Sequence, residues 1–409
     1  MAMWKSKRSH QPTGTAKNSG IDSARKRKLR TAVLKWYDTH RRRLPWRESA
    51  DPYRIWLSEI MLQQTTIAAV VPYFERFTEK FPDVATLARA DVDDVLRLWE
   101  GLGYYSRARN LHKAAQTIMR DLDGQFPRDA ESLQKLPGIG RYTAGAICSF
   151  AYDQPVPIVE ANTERLYARL IALADDVRST ASQRTLWNFA AEIVPNKRPG
   201  DFNQALMDIG STICRPQDPD CDHCPLVACC AAFANGLQHK LPRRKARVAV
   251  TSVDEICVVV RRKDQYLLRR RTEEERWAGM WDFVRFEIDD AELLQLPFAT
   301  LQPRTKTKSS NARNLFASSA DILPETIQRR VLEQVGLGLG SVIAATEFTY
   351  SVTRYRVRLM SFLCDSAASI GSKLKNAQWF SAAELAELPL SRTGRQVVEW
   401  LEGRENRVT

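Results

Sequence analysis

The feature that most constrains this chain is a crowd of cysteines. Cys214, Cys221, Cys224, Cys229 and Cys230 are five of the eight in the sequence, and they fall within 17 residues. Disulfide frameworks of that density belong to short secreted chains, whereas this one has 409 residues, 44% of them hydrophobic, and ample material for ordinary cores. In a reducing compartment such crowding points to a metal. The spacing Cys214-x6-Cys221-x2-Cys224-x5-Cys230 offers four thiolates, enough for an iron-sulfur cluster or a tetrahedral zinc, and without one the short loops between them have little to fold around. Spacing alone does not choose the metal, and Cys229 competes with Cys230 for the fourth place.

Charge is placed as unevenly as the cysteines. The net charge is +13, and the first 50 residues alone carry 14 Lys and Arg against three Asp and Glu. Such a front end suits a polyanion, nucleic acid above all, because each phosphate neutralised releases counterions. Residues 1–28, rich in Ser, Lys and Arg, read as a flexible basic arm. The opening MAMWKSKRSHQPTG holds no apolar segment of the kind a secretory signal needs, and no apolar run of about 18 residues follows, so a soluble, intracellular, cytoplasmic protein is expected, nucleoid-associated if the host is bacterial.

From Leu29 the pattern turns helical. Trp56, Ile60, Ile67, Val70 and Phe74 recur at helix spacing, and apolar stretches at 84–99, 108–122, 141–151, 160–173 and 185–194 are punctuated by Pro and Gly. This predicts an all-helical domain over 29–213, a cysteine loop over 214–236 and a basic linker over 237–250, LQHKLPRRKARVAV. Beyond it the period becomes two. Ile256–Val260, Tyr266–Leu268, Trp281–Phe286, Glu347–Ser351 and Arg356–Phe362 are rich in β-branched and aromatic residues, so 251–409 reads as an α+β domain, with a surface loop at 303–320.

Three shorter motifs can carry chemistry. Leu136-Pro137-Gly138-Ile139-Gly140-Arg141-Tyr142 lies between helical stretches, and its glycines let backbone N–H groups approach a phosphate at the start of the next helix, as in a helix-hairpin-helix. Glu59 stands in the otherwise apolar stretch Trp56–Leu62, where desolvation would raise its pKa and make it a usable general acid, and the amides of Gln63 and Gln64 beside it can bond base edges. Glu160 opens a helix, where its carboxylate can stabilise a cation with Asn162 positioning it, or serve as an ordinary acidic helix start.

Together these segments resemble the A/G-mismatch adenine DNA glycosylases, the MutY family of the helix-hairpin-helix, endonuclease III-like superfamily. The residues that carry the resemblance are Leu44-Pro45-Trp46-Arg47, the run from Asp51-Pro52-Tyr53 through Ser58-Glu59 to Gln63-Gln64-Thr65, and Gly101-Leu102-Gly103-Tyr104-Tyr105-Ser106-Arg107-Ala108-Arg109-Asn110. The Leu136–Tyr142 hairpin, Phe202-Asn203-Gln204-Ala205 and the cysteine series complete it, in the family's order over residues 29–236. The resemblance implies a helical glycosylase domain with a [4Fe-4S] cluster on Cys214, Cys221, Cys224 and Cys230, followed by a Nudix-like α+β domain. It implies double-stranded DNA with A:8-oxoguanine or A:G mispairs as substrate, handled by a monomer.

Carried over by position, Glu59 is the expected general acid and base, Glu160 the carboxylate that stabilises an oxocarbenium-like sugar, and Tyr142 occupies the place where bifunctional relatives carry a nucleophilic Lys. A phenol cannot form the Schiff base that β-elimination needs, so base removal without strand cleavage is expected. Glu59, Glu160, Tyr142 and Asn162 are the candidate catalytic residues. Candidate DNA contacts are Arg47, Gln63, Gln64, Tyr104, Gly138 and Gly140, with Gln64 and Tyr104 wedging the duplex while adenine is flipped out.

The C-terminal part resembles the Nudix-like domain with which this family recognises 8-oxoguanine. Trp277-Ala278-Gly279-Met280-Trp281-Asp282-Phe283 is its best-preserved stretch, and Arg329–Gly336 resembles the Nudix box helix, with Arg330 and Gln334 replacing two of its carboxylates. Mg²⁺ then has too few hard oxygen ligands, which leaves recognition rather than hydrolysis. The chain departs from the family in three places. Glu160 replaces an Asp, Ala161 replaces a Gly, and Val352-Thr353-Arg354 stands where the family has Phe-Ser-His, leaving Thr353 and Arg354 as candidate contacts to the lesion. Two other readings follow from these features: a mismatch thymine or uracil glycosylase, and a lesion-binding protein with little turnover.

Overall fold

The computed structural model describes residues 21–244, 249–294, 296, 313–315, 322–367 and 374–408. These form two compact units that do not follow chain order: the described residues of Met1–Gln63 with Gln125–Lys245, and those of Gln64–Gly124 with Ala246–Thr409.

The first unit is helical. Its first helix, Ser23–His40, is started by Asp22, whose carboxylate accepts the N–H groups of Ala24 and Arg25 at 2.8 Å. The arm expected over 1–28 therefore ends in helix at 23–28, while 1–20 lies outside the described residues. Leu29, Val33 and Tyr37, four apart, bury one face of this helix in a core with Phe189, Phe202 and Leu206. The helix Pro52–Leu62, capped by Asp51 with Pro52 in its first turn, packs on Arg141–Tyr152, and both Arg141–Tyr152 and Ala161–Leu170 pack on Pro199–Thr212. Gly210 permits the last contact, because a Cβ there would come within 2.9 Å of the Asn162 carbonyl oxygen.

The periodicity running from Trp56 to Phe74 is broken in the structure. One helix ends at Leu62 and another begins at Ile67 in the second unit, because Gln64 turns left-handed (φ +59°) and Thr66 caps the new start. The stretch 84–99 divides in the same way into Val84–Arg89 and Val92–Leu98, with Asp91 capping the second. Phe77, Phe81 and Trp99 stack edge to face between these helices and Ser106–Asp121 completes them.

The rest of the second unit is a mixed sheet with a helix on each face. Its strands are β1 (Thr251–Arg262), β2 (Gln265–Arg270), β3 (Trp281–Asp282), β4 (Val284–Ile288), β5 (Arg313–Leu315), β6 (Leu339–Val352), β7 (Tyr355–Ser366) and β8 (Ala377–Ser381). They run in the order β3-β2-β1-β7-β6-β5, with β4 beside β1 and β8 beside β2. β1 pairs parallel with β7, Ile256 opposite Met360, and the other pairs are antiparallel. Alternate residues of β1 go to opposite cores: Ile256, Val258 and Val260 meet Ile327, Val331 and Val335 of the helix Glu325–Val335, while Cys257 and Val259 meet Val397, Val398 and Leu401 of Arg392–Val408. The loop expected at 303–320 lies outside the described residues, except that Arg313–Leu315 is a strand. Among the described residues, no helix is long and apolar enough to cross a membrane.

Candidate active site and cysteine loop

Glu59 is 4% exposed, on the inner face of the helix Pro52–Leu62. Tyr142, in the first turn of the helix that follows the glycine hairpin, donates its phenol hydrogen to Glu59 Oε2 at 2.5 Å. Burial pushes the Glu59 pKa up to about 7; the Tyr142 hydrogen bond and the Arg47 charge pull it back, and the Glu160 charge adds to the rise. Burial and the same two carboxylates hold the Tyr142 phenol well above its ordinary pKa, so it stays a donor.

Arg47, read from its motif as a DNA contact, is placed in the interior. Its guanidinium forks onto Asp208, Nη1 to Oδ2 at 2.7 Å and Nη2 to Oδ1 at 3.0 Å, with a side chain only 9% exposed. Arg42 Nε donates to the same Oδ1 at 2.9 Å. A fully buried carboxylate needs such partners, and Asp208 is itself 0% exposed. From there Arg47 acts on Glu59 through its charge. Sequence reasoning missed Asp208, although it stands among Ala205, Leu206 and Ile209 as an acid in an apolar helical stretch, the pattern that singled out Glu59.

Glu160 is the N-cap of Ala161–Leu170, and its longer side chain satisfies two amides at once. Oε1 accepts the Thr163 N–H at 2.8 Å and Oε2 accepts the Asn162 N–H at 2.9 Å, while the Thr163 hydroxyl accepts the Glu160 N–H in return. Burial raises the Glu160 pKa, and the two amides oppose the rise. Asn162 Nδ2 also donates to Oε2, at 3.2 Å. Asn162 is fixed in turn by Arg165, whose Nη2 donates to Asn162 Oδ1 at 2.9 Å and whose Nε donates to the Cys214 carbonyl at 2.7 Å. One buried guanidinium thus joins the Glu160 helix start to the first cysteine.

The hairpin is built as its glycines suggest. Gly138 is left-handed (φ +76°), and Gly140 precedes a helix whose first turn has no side-chain cap. A Cβ at Gly140 would meet nothing within 4 Å, so this backbone is open to a large ligand. Gln63 ends the Glu59 helix half-buried; Gln64 is exposed, and Tyr104 is 45% exposed with φ +48°. Gln64 and Tyr104 belong to the second unit. Thr353 and Arg354 form the exposed two-residue turn between β6 and β7, Thr353 at φ +50° and Arg354 Nη2 bonded to the Tyr355 hydroxyl at 2.9 Å.

Cys214, Cys221, Cys224 and Cys230 line one cavity together with Leu166 and Arg169. Cys229 is not part of that lining; it is buried, and its carbonyl accepts Arg25 Nη2 at 2.8 Å. Burial pushes the Cys224 thiol up to about 12, and the neighbouring Cys214, Cys230 and Cys221 add to the rise. Arg169 Nη1 donates to Cys214 Sγ at 3.1 Å. Among the described residues, no group of three or more His, Cys, Asp or Glu is drawn together as the ligands of a single metal ion. On the helix Glu325–Val335, Arg330 pairs with Glu292 at 3.1 Å and lies over the Phe286 ring, a guanidinium where the Nudix box pattern has a carboxylate.

Residues 57–192 match the family model of the HhH-GPD superfamily base excision DNA repair proteins, and residues 256–400 match the NUDIX domain. The adenine DNA glycosylase of Mus musculus is 41% identical over 266 residues, 63% of this chain and 51% of that one. That of Buchnera aphidicola subsp. Schizaphis graminum is 38% identical over 256 residues, 62% of this chain and 74% of that one. The Homo sapiens enzyme is 44% identical over 222 residues, 52% of this chain and 41% of that one. The chain thus spans about half the length of the mouse relative and three quarters of the bacterial one.

Proposed function

Because the chain belongs to the adenine DNA glycosylase family, we propose that it hydrolyses the N-glycosidic bond of adenine mispaired with 8-oxoguanine or guanine in double-stranded DNA. The observation that carries this reading is the buried pair Glu59 and Tyr142, 2.5 Å apart, with the Glu59 pKa near 7. A carboxyl poised there can give a proton to the departing adenine and, as carboxylate, take one from water. Glu160, close enough to Glu59 for their charges to interact, supplies the second carboxylate that an oxocarbenium-like sugar calls for. Asn162 and, behind it, Arg165 hold Glu160 in place.

The enzyme is proposed to be monofunctional. The hairpin offers a phenol, buried and engaged with Glu59, where Schiff-base chemistry needs an amine. Gly138, Gly140 and the uncapped helix behind them are proposed to take a backbone phosphate, and Gln63 and Gln64 to meet base edges. Tyr104 is proposed to wedge the duplex, and Thr353 and Arg354 to read the lesion strand from the Nudix-type domain, 251–409, joined by the linker 237–250. One chain then supplies every part, as a monomer.

The four cavity-lining thiols fit a [4Fe-4S] cluster, and the Arg169 donor on Cys214 suits a thiolate. Cys214, Cys221, Cys224 and Cys230 would hold it, and the group would supply the bonds around which the loop folds. A second reading, a lesion binder with little turnover, draws on the engagement of both Glu160 oxygens by their own helix. Single-turnover release of adenine from duplexes with A opposite 8-oxoguanine or G, nicking scored before and after alkali, decides. Release with nicks only after alkali upholds the glycosylase; tight binding without release favours the binder.

A further inference from the structure

One turn of the second unit is held from both sides in a conformation that few residues adopt. Between Glu100 and Ser106 the backbone passes through Gly101 (φ +97°), Gly103 (φ +69°) and Tyr104 (φ +48°). A tyrosine persists in the left-handed region only where its surroundings determine it. The Tyr73 hydroxyl donates to the Glu100 carbonyl at 2.8 Å, and a Cβ on Gly101 would run into that hydroxyl. Arg107 Nη2 donates to the carbonyls of Leu102 and Gly103, both at 3.0 Å, and its guanidinium lies 5.6 Å from the Tyr104 ring.

The remaining hold comes from the C-terminal part of the same unit. Arg395, on the helix Arg392–Val408, forks onto Glu100, Nε to Oε1 at 2.9 Å and Nη2 to Oε2 at 3.0 Å. The same guanidinium donates to the carbonyls of Leu385 and Leu388 at 2.9 Å, so Arg395 is anchored from behind. On the far side of the turn, Arg109 donates to the carbonyl of Ala278, within the Trp277–Phe283 stretch of the Nudix-type domain. The residue before Gly101 and the residue five after Tyr104 are therefore both tied to that domain.

We propose that Arg395 is a positioning residue for Tyr104: through its fork onto Glu100, the C-terminal helix sets the Gly101–Tyr104 turn and governs entry of the Tyr104 ring into DNA. This rests on the wedge role proposed for Tyr104. Neither Arg395 nor Glu100 need touch the nucleic acid, and the effect on base release is indirect. A Nudix-type domain that grips the lesion strand would then act on the opposite strand through two side chains.

Glu100→Gln is the sharpest probe, because it removes the charge and half the fork while leaving Arg395 bonded to Leu385 and Leu388. The readouts are the fluorescence of 2-aminopurine placed beside the mispaired adenine, which reports unstacking, and duplex affinity, with thermal unfolding as the folding control. Glu100→Gln and Arg395→Met are each expected to reduce the unstacked population roughly fivefold, and the double variant to reduce it no further than either alone, since both break the same fork. In a Tyr104→Ala background, Glu100→Gln should have no further effect. Additive defects, or a silent Glu100→Gln where Tyr104→Ala is damaging, overturn the proposal and leave the wedge intact. A silent Tyr104→Ala overturns the wedge and this proposal with it.

Discussion

The Tyr142 hydroxyl and the Glu59 carboxylate meet at 2.5 Å, although 83 residues of chain separate them. Burial raises Glu59 to about 7, and the hydrogen bond, which favours the carboxylate, restrains that rise. If protonated Glu59 is the acid, single-turnover base release falls about tenfold per unit as pH rises above 7, and falls again on the acid side where Glu160, its pKa raised by burial, takes up a proton. Tyr142→Phe removes the restraint, so the alkaline limb should move to higher pH. A limb that stays in place detaches Tyr142 from the titration.

The same shift predicts a stability effect. Glu59 goes from an ordinary 4.5 to about 7 on folding, so its favourable contribution is complete below 4.5 and is lost as pH rises through 7. Above that pH the native protein holds a desolvated carboxylate, at a cost on the order of 3 kcal/mol at most. Glu59→Gln keeps an acceptor for Tyr142 and cannot ionise. It should therefore melt above wild type at pH 8, with the gap closing toward pH 5, while base release is abolished. A melting difference that does not change with pH counts against a buried, titrating Glu59.

Glu160 has two separable duties. As an N-cap holding the amides of Asn162 and Thr163, its replacement by Ala should cost about 1 kcal/mol of stability. As the second carboxylate, its loss should remove base release altogether. Glu160→Gln helps separate the two, since its single amide oxygen keeps one of the two N–H bonds: melting between Glu160→Ala and wild type with no release supports the electrostatic duty, and retained release confines Glu160 to capping.

Spacing alone left Cys229 and Cys230 open as the fourth ligand, and Cys230 is the one we propose. Cys230 lines the cavity with Cys214, Cys221 and Cys224, and Cys229 does not. Cys230→Ser should lose the cluster and the fold of the loop, whereas Cys229→Ser should keep about four irons per chain. Iron analysis and the visible absorbance of the purified variants test this; stoichiometric zinc, or loss of iron from Cys229→Ser, reverses it.

What could be read before the structure was local. An acid inside Trp56–Leu62, glycines spaced for a hairpin and a change of period after residue 250 are all patterns within one element, and each marks a helix, a turn or a strand that is present. What escaped was long-range. Arg47 looks like a free cation in its motif because Asp208, its partner, is 161 residues away. Arg165 looks like an ordinary helix residue, a turn away from Asn162, until the fold brings Cys214, 49 residues on, to its other side. The helix at 23–28 was hidden by composition: its basic residues suggest a solvated arm, yet Arg and Lys are good helix formers once Asp22 caps them. Strand β8 went unnoticed because a five-residue segment earns its place by pairing with β2, not by its own pattern.

The two hairpin glycines are predicted to separate folding from DNA binding. Gly138 sits at φ +76°, so Gly138→Ala should cost roughly 1 to 2 kcal/mol of stability whatever it does to binding. Gly140 is different: its φ of −90° suits any residue, and a Cβ there meets nothing within 4 Å of the free protein. Gly140→Ala should melt like wild type. If a phosphate docks against that backbone, the added methyl lies in its path, and duplex affinity should fall about tenfold, since one well-placed contact to a charged group contributes about 1.5 kcal/mol or more. Unchanged affinity in a variant with an unchanged melting temperature would remove the hairpin from the DNA interface.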